Sequence, residues 1–228
     1  GALYTWGLNT RSELFLCPVL SNLCPCGDCP EKSGVLGDGT YYWSNHPINI
    51  NVTLVDDQLV DLACGRDHTI ARTLRGRIYG WGVNKNGQLG DQEYYGEYVM
   101  QPQLLQSDPH GGEPLGDKRV ISIAAGEAFS MALTSDGRVY AWGDNSKGQI
   151  ASQKSSTSHA KLVRNFAPHY QSAIRIAAGK QSGYLLTESH VIRAWGDNSG
   201  GQLGINSTLV AQTSELQTLN HPQPMTSV

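Results

Sequence analysis

The chain has 228 residues, of which 39% are hydrophobic and only 16% charged, with 26 glycines and a formal net charge of −3. It is too apolar and too rich in turn residues to be disordered, and long enough to bury a sizeable core in one or two domains. The charge gives no electrostatic reason to expect nucleic acid, and no run of 18 apolar residues offers a membrane span.

The first recognisable segment is "LYTWGLN" from Leu3, a short apolar strand pattern ending in glycine. The stretch before it lacks the basic and apolar regions of a signal peptide, so an intracellular location, cytoplasm or nucleus, is expected. A cysteine-rich insertion follows at residues 10–32, with Cys17, Cys24, Cys26 and Cys29 in the spacing C-x6-C-x-C-x2-C. Four thiolates can close a tetrahedral structural zinc site in a loop that has no core of its own. Two disulfides, or free thiols, are the alternatives that the irregular spacing leaves open. No other cofactor is called for.

Next come "VDLACG" and "HTIARTLRGRIYGWG", three strand-like runs broken by glycines, the second and third joined across "LRG" at 74–76. Cys64 stands where other copies have Ala, so a small buried core residue is expected there. His68 reads as a framework residue of its repeat. After "GQLG" the run "DQEYYGEYVM" offers Tyr94, Tyr95 and Tyr98 as interface anchors, with packing at the edge of the folded unit as the simpler account. "PQLL" at 102–105 is a further strand.

The segment 107–118 contains "GGEPLGDK", in which Gly111 and Gly116 have P-loop spacing but Asp117 stands where Lys is required, so phosphate binding is rejected. "ISIAAG", "FSMALTSDGRVYAWG" and "AKLV" (160–163) then repeat the pattern, as do "IRIAAG" and "SGYLLTESHVIRAWG". Asn51-Val52-Thr53 and Asn206-Ser207-Thr208 are glycosylation sequons, relevant only to a secreted protein.

These copies align without a gap, from Ala63, Ala124 and Ala177. Trp81, Trp142 and Trp195 fall at one position, with periods of 61 and 53 residues. The interval from Trp6 to Trp81 is 75; removing the 22 extra residues between Asn9 and Gly34 restores 53. Four short strands per unit, glycine punctuation and no helical periodicity describe an all-β propeller of four-stranded antiparallel blades. The four tryptophans are expected to be wedges between blades, and the glycine after each to let backbones approach closely.

The pattern "AAGxxxSxALTxxGRVYAWGxNxxGQLG" resembles the repeat of the regulator of chromosome condensation family. The resemblance implies a seven-bladed β-propeller, of which residues 1–228 hold about half, in units centred on Trp6, Trp81, Trp142 and Trp195. The rest of the ring is expected from the same or another chain. Family members include an exchange factor for the small GTPase Ran, ligase and kinase regulatory domains and a plant photoreceptor, so the fold is named better than the function. The Trp-centred motifs of the photoreceptor are missing: only Trp43 remains beyond the four framework tryptophans.

No nucleophile elbow, metalloprotease His pair or dinucleotide loop occurs. The expected function is a non-enzymatic module that binds a protein partner through its blade loops. The alternative is guanine nucleotide exchange on a Ran-like small GTPase.

Overall fold

Alternating and continuous apolar runs of about six residues, separated by glycine-containing turns, leave the chain few options besides short antiparallel strands. A computed structural model describes residues 3–7, 36–37, 44–50, 58–90, 97–105, 115, 118–152, 156–163, 172–205 and 211–219. The strands β1 (Leu3–Gly7) and β2 (Ser44–Ile50) pair as a two-stranded sheet. Three four-stranded antiparallel sheets follow. They comprise β3 (Leu59–Cys64) to β6 (Tyr98–Leu104), β7 (Val120–Ala125) to β10 (Ser156–Leu162), and β11 (Ala173–Ala178) to β14 (Gln212–Thr218). Strands neighbour one another in chain order within each sheet, the up-and-down blade of a propeller. No helix among the described residues is long and apolar enough to cross a membrane.

The core lies between the sheets. One cluster joins Ile70, Trp81 and Leu89 of the first full blade to Val120, Ile123 and Trp142 of the second. Another joins Phe129, Met131 and Ile150 of the second to Leu185 and Trp195 of the third. Each blade thus buries its face against the next.

Trp81, Trp142 and Trp195 are fully buried. The Trp142 indole N–H donates to the Gln88 carbonyl oxygen at 2.9 Å, and that of Trp195 to the Gln149 carbonyl at 2.9 Å. Each acceptor belongs to the preceding blade, so the tryptophans bridge blades as the repeat predicts. Of Trp6 only the strand position is described. Gly143, after Trp142, has φ 106°, and a Cβ there would lie 2.6 Å from the Ala128 carbonyl oxygen. Close approach and a left-handed backbone both require glycine at this position. The second-to-third strand turn needs positive φ as well: Gly137 has φ 77°, and His190 takes φ 61° without a glycine.

Two expectations change. The fourth strands begin four residues before "PQLL" and "AKLV", at Tyr98 and Ser156. Tyr98 pairs with Val83 and Ser156 with Asp144, so these outer strands run the whole length of their neighbours. In β6 the apolar Tyr98-Val99-Met100 is separated from the rest of the strand by Gln101 and Pro102, and β10 opens on the polar "STSH", so neither reads as one continuous strand.

Cys64 is exposed, not buried. Residues on that face of an inner strand pack against the preceding blade, as Ile123 of β7 packs against Ile70. Among the described residues β3 is the first inner strand, and Leu62 and Cys64 on that face stay exposed.

Candidate functional site: the loop rim

Each inner strand ends in a glycine that turns the chain into the second strand. The turn is closed by a backbone bond: Gly65 N–H to the His68 carbonyl at 2.8 Å, Gly126 to Phe129 at 2.9 Å, Gly179 to Ser182 at 2.8 Å. The residue after that glycine is Arg66, Glu127 and Lys180 in the three blades. Their backbones form a rail across the sheets, with Arg66 N–H donating to the Glu127 carbonyl (3.1 Å) and Glu127 N–H to the Lys180 carbonyl (2.8 Å).

The side chains repeat the link. Arg66 Nη1 lies 3.0 Å and Lys180 Nζ 3.7 Å from Glu127 Oε1, while Arg66 Nε lies 3.5 Å from Asp67 Oδ2. The two cations stay largely in solvent and the carboxylate between them is mostly covered. Exposed pairs of this kind contribute roughly 0–1 kcal/mol each, so they add little to stability. They nevertheless fix a row of alternating charge on a rigid support.

The turn after the third strand opens at the same end. Lys85, in the first of these turns, places Nζ 5.1 Å from the ring centroid of Tyr98 at the start of β6, a cation–π pair. In the second turn Asp144 accepts from Ser146 N–H (3.0 Å), Ser146 Oγ (2.8 Å) and Gln149 Nε2 (2.7 Å). Asp197 repeats the arrangement with Ser199 and Gln202. Burial pushes its carboxyl up, but hydrogen bonds from Ser199 and Gln202 and the charge of Lys147 outweigh that and hold it below the usual range. The neighbouring asparagines are framework: Asn84, Asn145 and Asn198 each accept the backbone N–H five residues on, at 2.8–3.1 Å.

Behind the rim, His68 is fully buried. Ser130 Oγ donates to the Gln88 carbonyl at 2.8 Å, so its proton is committed, and His68 Nε2 at 3.0 Å is the donor to Oγ. That leaves Nδ1 as a buried acceptor with no partner among the described residues. Burial lowers the imidazole from its ordinary 6.5 to about 4. Phe129 and Ser182 occupy the same place in the other blades, so His68 is a packing residue of the repeat. Ser130 directs its hydroxyl proton to the Gln88 carbonyl and not to the imidazole, which is not the arrangement of a base activating a nucleophile.

Of the sequence-predicted residues, Tyr98 lies on this rim. Tyr94 and Tyr95 fall outside the described residues, as do Cys17, Cys24, Cys26 and Cys29. Among the described residues no cluster of three or more His, Cys, Asp or Glu side chains could hold a metal. The charged row and Lys85 were missed. Their signal was available: one position after "CG", "AG" and "AG" carries Arg, Glu and Lys in the aligned copies.

Family models for the regulator of chromosome condensation (RCC1) repeat match residues 59–88, 120–149 and 75–133. The chain is 31% identical over 160 residues to the human probable E3 ubiquitin-protein ligase HERC6, covering 70% of this chain and 15% of that protein. It is 28% identical over 239 residues to the Arabidopsis thaliana ultraviolet-B receptor UVR8, covering 92% of this chain and 52% of the receptor. The crystal structure of Kap60 bound to yeast RCC1 (Prp20) superposes with a TM-score of 0.57 at 15% identity, over 97% of this chain and 57% of that one. The chain therefore spans between a seventh and about half of these curated relatives.

Proposed function

From this chain's membership of the RCC1 repeat family, we propose that it is a protein-interaction module whose blade-loop rim binds a protein partner. The supporting observation is the Arg66–Glu127–Lys180 row, held by a backbone rail across three blades, with the Lys85–Tyr98 pair at the same end. A rigid scaffold presenting exposed cations and an aromatic ring suits recognition. The relatives include a probable ligase and a light receptor; what they share with this chain is the repeat, and the ligase is matched over only 15% of its length. The reading is therefore that of a non-enzymatic binding module.

The test is affinity capture with the wild-type chain and with Arg66→Glu combined with Lys180→Glu. A partner retained by the wild type and lost by the folded variant supports the rim. Identical captured sets overturn it. Purified chain incubated with small GTPases carrying fluorescent GDP tests nucleotide exchange; accelerated release would favour the exchange-factor reading.

A further inference from the structure

We propose a second binding surface at the opposite end of the blades, for an extended acidic peptide segment of another protein that also carries apolar side chains. It does not rest on the rim reading, because it uses none of the same residues.

Every full blade has a register irregularity near the start of its inner strand, between Leu59 and Asp61, Val120 and Ser122, and Ala173 and Arg175. The residue carried by the bulge is Val60, Ile121 and Ile174, with 46, 42 and 41% of its surface exposed. A bulge re-aims one side chain out of the sheet alternation. Here it turns a large apolar side chain into solvent three times. Leu62 is exposed for lack of a covering blade, but that reason fails for Ile121, which has a full blade on each side. Isolated exposed aliphatics are ordinary; one register position kept apolar in three repeats is a surface feature.

These residues are joined by the hairpin turns of the same end. Leu74, 56% exposed, donates its N–H to the Gln58 carbonyl at 2.7 Å, beside Val60. The Gly76 carbonyl accepts from Val120 N–H at 3.3 Å, and that of Gly137 from Ala173 N–H at 3.1 Å. The ribbon therefore runs from blade to blade through backbone contacts.

Its charge selects the partner. Asp61 is engaged by Arg72 at 3.5 Å, and Asp136 by Arg138 at 3.3 Å and Lys118 at 3.8 Å. Arg119 and Arg175 are exposed beside Ile121 and Ile174, with no acidic partner among the described residues. A carboxylate-bearing segment would satisfy both guanidiniums while its apolar side chains cover the isoleucines.

The test is fluorescence anisotropy with the whole 228-residue chain and a labelled synthetic peptide in which Glu alternates with Leu and Phe. Saturable binding is expected. It should weaken by about tenfold or more in Arg119→Glu with Arg175→Glu, and likewise in Ile121→Ser with Ile174→Ser. Arg119→Lys with Arg175→Lys should keep most of it, and Arg66→Glu with Lys180→Glu should not change it. The proposal is overturned by absent saturable binding, by undiminished binding in the folded Arg-to-Glu pair, or by equal affinity for a Glu/Ser peptide or for duplex DNA.

Discussion

Replacing Trp142 by Ala should show how much of the fold depends on contact between blades. The side chain is fully buried in the cluster shared by the first two full blades, so truncation costs roughly 3–5 kcal/mol. Trp142→Phe separates packing from polarity. The lost indole bond contributes about 1 kcal/mol, and the Gln88 carbonyl is not orphaned because Ser130 Oγ still donates to it at 2.8 Å. Phe should therefore cost about 1–2 kcal/mol, including its smaller volume. Against a total of about 5–15 kcal/mol, Ala is severe and Phe tolerable. Equilibrium urea unfolding followed by far-ultraviolet circular dichroism reads both. Native-state hydrogen exchange should also rise in 84–90 of the preceding blade. A loss below about 1 kcal/mol for Ala in a folded, cooperative protein would refute the bridging role.

The buried His68 makes stability depend on pH. Its folded pKa, about 4, lies below the unfolded 6.5, so its contribution is intact above pH 6.5 and is lost as pH falls from there towards 4. The loss should approach about 3 kcal/mol. His68→Phe, the residue type at Phe129, should abolish that slope in unfolding measured at pH 7 and pH 4.5. Gly143→Ala should cost more than the ~1 kcal/mol of an ordinary glycine substitution, because both φ 106° and the Ala128 carbonyl oppose a Cβ; a thermal melt unchanged from wild type would contradict this. If Cys17, Cys24, Cys26 and Cys29 hold zinc, about one metal per chain is expected by elemental analysis, and chelation should leave the blades folded. Two disulfides found by mass spectrometry would exclude that site.

The strands were legible because the repeat is written three times in gapless alignment, and tryptophan, glycine and asparagine each answer a backbone demand that the sequence states. Trp142 and Trp195 find equivalent acceptors, Gln88 and Gln149, each in the preceding blade, and Gly137 and Gly143 both take positive φ. The outer strands were only half legible: Gln101 and Pro102 interrupt β6, and β10 opens on four residues without apolar alternation. Cys64 was misread because burial on an inner strand depends on the neighbouring blade, which local sequence does not encode. The rim was harder still. Arg66, Glu127 and Lys180 lie far apart in the chain, and only the closure of blade on blade makes them a row. The bulge residues Val60, Ile121 and Ile174 looked like ordinary strand interior, since alternation cannot show where a register slips.

Docking of a partner on the loop rim would leave a footprint in backbone amide exchange. The most direct measurement is hydrogen–deuterium exchange of the chain alone and with the purified partner captured through it. Slowed exchange should be confined to the turns around 65–68, 84–88, 126–129 and 179–182 and the start of β6. Protection absent from these turns and concentrated at 58–60, 74–77 and 119–121 would overturn the rim as that partner's docking surface.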